Sequence, residues 1–125
     1  MALSRGEQRR FAALWADAWN RRDVEAVLEH FHEHVAFTSP TALAVVGSPV
    51  VHGKSALRAY WNAALERVTA LHFTVDRIVW DDVTNELAIV YIETINGKSK
   101  RVSENLRFDD SGLVIFAEVF HGIGV

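Results

Sequence analysis

Asn96-Gly97 constrains this chain more than any other pair of its residues. Both central positions of a two-residue type I′ turn need φ above zero, and Asn-Gly meets that need most readily. Leu87 to Ile92 form a continuous apolar run before the pair, and after it Val102, Leu106 and Phe108 recur at even positions among polar residues. The run suits a buried strand and the alternation a half-buried one, so the segment predicts an antiparallel hairpin. The turn also sets the register: 95 faces 98, 93 faces 100, 91 faces 102 and 89 faces 104.

Asp109-Asp110-Ser111-Gly112 predicts a second turn, leading into a strand over 113–121. With four residues in that turn, 108 faces 113, 104 faces 117, 102 faces 119 and 100 faces 121. A further strand over 71–80 completes a meander of four. Cross-strand partners share a face. One face then carries Leu87, Ile89, Tyr91 and Glu93; Lys100, Val102, Glu104, Leu106 and Phe108; and Leu113, Ile115, Ala117, Val119 and His121. Glu104 is thereby surrounded by apolar side chains, with a polar row of Glu93, Lys100 and His121 at one end. Ala88, Val90, Ile92, Val114, Phe116 and Phe120 fall on the opposite face among Ser103, Asn105, Arg107 and Glu118. Both faces hold large apolar residues, so helices are expected over one and a second subunit over the other. A three-residue loop with a bulge at Gly112 would instead turn His121 outward.

The first half of the chain has helical periodicity. Ser4 and Glu7 form a capping box, and Phe11, Leu14, Trp15, Ala18 and Trp19 follow on one stripe, predicting a helix over about 5–21. Asp23 caps a short second helix with Val24, Val27, Leu28 and Phe31 on one face. A strand over Val35 to Thr38 ends at Ser39-Pro40, and residues 40–52 read as an apolar loop. Gly53 opens a third helix, with Leu57, Tyr60, Trp61, Ala64, Leu65 and Val68 on its apolar side. Helices followed by a meander make an α+β pattern, and 125 residues suit one domain over 1–125.

Composition excludes several functions. The chain has no cysteine, hence no disulfide, thiolate nucleophile or Cys-ligated zinc. Its net charge of −3 is dispersed, without the basic stripe of a nucleic-acid binder. MALSRGEQRR lacks the apolar stretch of a signal peptide, and no window has the run of about 18 apolar residues that a membrane span needs. A cytoplasmic protein is the expectation. His30, His32 and His34 raise the question of a metal, but only His30 and His34 share a helix face and no HExxH pattern is present. Histidines near a helix C-terminus are favoured by the dipole alone. His52 and His72 add nothing to this, and neither metal nor cofactor is expected.

Four stretches together resemble the nuclear transport factor 2-like superfamily, in its SnoaL-like branch, which includes ketosteroid isomerase and polyketide cyclases. They are Ala18-Trp19-Asn20-Arg21-Arg22-Asp23, Val35-Ala36-Phe37-Thr38-Ser39-Pro40, Gly53-Lys54-Ser55-Ala56-Leu57-Arg58-Ala59-Tyr60-Trp61, and Leu106-Arg107-Phe108-Asp109-Asp110-Ser111-Gly112. The resemblance implies a cone-shaped α+β barrel: three N-terminal helices packed on a curved antiparallel sheet, with a pocket opening between them. It also implies a homodimer formed through the sheet. By motif, the oxyanion-hole tyrosine of ketosteroid isomerase falls on Trp15, its general base on Ser39 and its oxyanion-hole acid on Glu104. Only Glu104 keeps a carboxyl group, so that enzyme's catalytic set is not carried over whole.

The residues suggest Glu104 as acid or base, since apolar burial raises a carboxyl pKa, and His121 as a second proton carrier. Trp15, Trp19, Ser39, Tyr60, Tyr91 and Val119 are the expected lining of a site for a small apolar molecule. Glu93 and Lys100 form a cross-strand ion pair more readily than a catalytic pair. A cofactor-free isomerase, cyclase or lyase fits this set. The absence of a base at Ser39 leaves a non-catalytic binding or protein-interaction module as the alternative.

Overall fold

The computed structural model describes residues 3–125. Helix α1 spans Arg5–Asn20, and its start is the expected capping box. Ser4 Oγ accepts from the Glu7 amide at 3.1 Å, and Glu7 Oε1 accepts from the Ser4 amide at 2.8 Å. Arg22 turns the chain with φ of 57°, and Asp23 caps α2, Val24–Leu28, through the Ala26 amide.

Phe31 does not continue α2. It begins strand β1, Phe31–Thr38, where the parallel ladder to the last strand pairs it with Val114. Strand pairing overrides the helical spacing here, so His30, His32 and His34 do not ride one helix. His30 sits in the turn with its ring edge-on to Phe11 at 5.0 Å, while His32 and His34 lie in an irregular part of β1. The stretch 40–52 is not a plain loop either. It forms α3, Pro40–Val46, and β2, Val50–His52, giving four helices in place of three among the described residues. Helix α4 follows over Lys54–Glu66, then β3 Leu71–Asp81, β4 Glu86–Ile95, β5 Lys98–Phe108 and β6 Val114–Gly124.

The six strands form one sheet in the order β2-β1-β6-β5-β4-β3, antiparallel except for β1 beside β6. It curls around α1 and α4 without closing, because β2 and β3 at its edges do not pair. The Asn96-Gly97 turn has φ of 51° and 82°, as a type I′ hairpin needs, and every predicted β4–β5 pair is present.

The second turn differs. Phe108 faces Val114, the ladder is irregular beyond that pair, and Glu104 faces Val119 where Ala117 had been expected. Val102 likewise faces His121. The displacement is two residues, so the alternation of faces survives and His121 stays inside. Close to the bulge the expected faces fail: Val114 is fully buried, while Leu113 and Ile115 are only partly covered.

Helix α1 is tied to the open edge of the sheet by one side chain. Asn20 Oδ1 accepts from the Phe73 amide at 2.7 Å, and its Nδ2 donates to the Phe73 carbonyl at 3.1 Å. The amide thus stands in for a strand partner on β3. Asn20→Ala leaves both backbone groups without it and is expected to cost about 2 kcal/mol in urea unfolding, against a much smaller effect for Arg9→Ala on the exposed side of α1.

Candidate active site

Between α1, α3, α4 and the concave sheet face lies a cavity of about 600 Å³, within the range of small-molecule sites. Phe37, Trp61, Phe73, Tyr91 and Val119 make apolar walls, and Glu104 supplies a carboxyl group from β5. Glu104 is 5% exposed, directly between Ile89 of β4 and Val119 of β6. Its Oε2 has no hydrogen-bond partner. Burial raises its pKa from 4.5 to about 8; the nearby Trp15 indole opposes the shift and the Glu93 charge adds to it. The carboxyl group is therefore mainly protonated at neutral pH.

Trp15 lies behind this wall. It is 1% exposed, stacks on Phe73 at 5.5 Å and meets Tyr91 edge-on at 5.0 Å. Its Nε1 makes no properly aligned hydrogen bond, so the indole acts on Glu104 as a nearby dipole. It is the one expected lining residue that does not border the cavity. Trp19, Ser39, Tyr60, Tyr91, Val119 and His121 all do.

Ser39 also has a second task. It caps α3, its Oγ accepting from the Thr41 amide at 3.2 Å, and it lies beside the Tyr60 hydroxyl. Burial raises the pKa of Tyr60 and raises that of Tyr91 much further, so both remain hydroxyl donors.

The polar row predicted at one end of the sheet face carrying Glu104 is present. Lys100 Nζ lies 2.7 Å from His121 Nδ1 and 3.6 Å from Glu93 Oε2. An ammonium can only donate, so Nδ1 accepts and the imidazole proton resides on Nε2. Burial first and Lys100 second hold the His121 pKa below its usual value. Burial raises the Glu93 pKa, and Lys100 opposes that rise. Gly122 permits this packing. A Cβ there would stand 2.8 Å from the Arg101 carbonyl oxygen, where the β5–β6 ladder is irregular.

Sequence reasoning missed the share of the lining that comes from α3, Thr41, Ala44 and Val45. The signal was available: Ser39-Pro40 is an N-cap followed by a first-turn proline, and Gly47 closes the helix with φ of 79°. No group of three or more His, Asp or Glu side chains placed to hold a metal occurs among the described residues. Nor is any described helix long and apolar enough to cross a membrane.

Comparison with solved structures places this geometry among known folds. A SnoaL-like protein of unknown function from Burkholderia thailandensis E264 superposes with a TM-score of 0.87 at 26% identity, over 98% of this chain and 100% of that one. A candidate ketosteroid isomerase from Kribbella flavida DSM 17836 gives 0.73 at 20% identity, over 94% and 79% of the two chains. AclR, a candidate hydroxylase from Streptomyces galilaeus, gives 0.73 at 19% identity, over 95% and 91%. At those lower identities the likeness is one of fold. No curated protein matches the sequence. Residues 12–116 match the SnoaL-like domain, and the chain belongs to that family.

Proposed function

We propose that the protein is a cofactor-free acid–base enzyme that moves a proton within a small, mostly apolar carbonyl compound. The supporting observation is Glu104, a buried carboxyl group with an unpartnered oxygen at the wall of a cavity large enough for a substrate. A general base works best with a pKa near the working pH, and about 8 is near it. In its ionised form Glu104 takes a proton from the carbon next to the carbonyl. The C–H electron pair becomes the enolate double bond, and the carbonyl electrons move onto oxygen. Returning the proton to another carbon of the conjugated system regenerates both the carbonyl and the carboxylate. His121 Nε2–H and the Tyr60 hydroxyl, both from the cavity lining, are the donors for the oxyanion.

Exchange of α-protons into D₂O, followed by proton NMR over a panel of apolar ketones, tests this reading without requiring the natural substrate. The expected rate rises with pH and levels off above about 8, as Glu104 ionises. Glu104→Gln is expected to lower it by about 10²–10⁴-fold. Exchange that persists in the variant, or is absent from the wild type across the panel, overturns the assignment and favours a binding module.

The convex sheet face supports a homodimer. Phe120 and Ile123 on β6 are 50% and 86% exposed, and Val79 on β3 is 54% exposed. Helices leave this face open, and a second copy would cover it. Sedimentation equilibrium is expected to give twice the chain mass, falling to one for Phe120→Glu; a monomeric wild type overturns this part.

A further inference from the structure

The cavity mouth has a charge opposite to that of the whole chain. Arg67, at the C-terminal end of α4, and Lys98, at the start of β5, both border it, together with Lys100. Glu93 is the acidic group bordering the mouth, and it lies against Lys100. Neither the Arg67 nor the Lys98 head group has an acidic partner among the described residues. Deeper in, Glu104 is mainly uncharged at neutral pH and does little to cancel this field. A net charge of −3 for the chain makes two free cations on one rim a local feature. Asn96 holds the rim in shape. Its Oδ1 accepts from the Thr69 amide at 2.8 Å and the Ala70 amide at 3.2 Å, and its Nδ2 donates to the Arg67 carbonyl at 3.2 Å.

We propose that the site takes amphiphilic carboxylates, the acid group meeting Arg67 and Lys98 at the mouth while the apolar body fills the cavity toward Glu104. The inference rests on reading this cavity as the substrate site, and it names the class of substrate. Two observations support it independently: a pair of unpaired cations on the rim, and an unpartnered carboxyl oxygen at the wall. Six strand positions separate Lys98 from Glu104, about 20 Å along β5, so one molecule reaching both ends needs an extended body. An oxo acid of that kind would offer its carbonyl to Glu104 and its carboxylate to the rim.

Displacement of the neutral dye N-phenyl-1-naphthylamine by dodecanoate and by dodecan-1-ol compares the same chain with and without the charge. Dodecanoate is expected to displace the dye roughly fivefold to tenfold more tightly, the advantage shrinking as salt rises. Arg67→Gln/Lys98→Gln should abolish the preference and leave alcohol binding unchanged. Lys98→Gln alone, on the exposed hairpin, should reduce it if the double variant folds poorly. Equal displacement by acid and alcohol, or a preference that survives these substitutions, overturns the carboxylate proposal and leaves the acid–base reading standing. Failure of the dye and both ligands to bind overturns the two together.

Discussion

Glu104→Gln is expected to stabilise the protein increasingly as pH rises, reaching about 5 kcal/mol relative to wild type above pH 8. The folded-state pKa of Glu104 is about 8, against 4.5 for an unburied glutamate. Between those values the unfolded chain has released the proton while the folded chain retains it. Fewer protons are bound in the unfolded state, so this residue makes wild-type stability fall as pH climbs from about 4.5 to about 8. Glutamine, close in shape and unable to ionise, removes that slope. Urea unfolding of both proteins at several pH values measures the difference directly. His30 and His121, whose folded pKa values are depressed, lose stability below their usual range in both proteins and cancel to first order. A substitution that raises stability while removing activity is what a strained catalytic carboxyl group predicts.

The second large effect is expected at Trp15. Trp15→Ala removes a side chain that is 1% exposed and packed against Phe73 and Tyr91, and should cost about 4 kcal/mol in urea unfolding. Water entering the vacated volume would also draw the Glu104 pKa back down, because burial is the main cause of its rise. Trp15→Phe separates packing from electrostatics. It keeps most of the ring volume but loses the indole N–H that opposes the shift, so the Glu104 midpoint should move further up. Unfolding energies and a carboxyl titration on the two variants check both statements.

The parts of the fold that were legible before the structure have short-range causes. Asn96-Gly97 states its turn type, and that turn determines four cross-strand pairs leading to Glu104. Ser4 and Glu7 state where α1 begins. The second turn was harder, since its residues permit several loop lengths. Its bulge moved Val119 to the place expected for Ala117, and His121 kept its side only because the shift was even. Phe31 failed for a different reason: its partner Val114 lies far along the chain, and no local pattern reveals a parallel pairing. In the site, burial of Glu104 followed from apolar neighbours at alternate positions. The unpartnered Oε2 and the short Lys100–His121 contact did not, because they depend on side-chain directions that register leaves open.

The proposed chemistry turns on the protonation of one carboxyl group. Carbon-13 NMR of protein labelled at the glutamate side-chain carboxyl, with the Glu104 resonance assigned by its loss in Glu104→Gln, follows that group through a pH titration. A midpoint of about 8 is expected. A midpoint at or below the ordinary 4.5 of a glutamate would contradict the account.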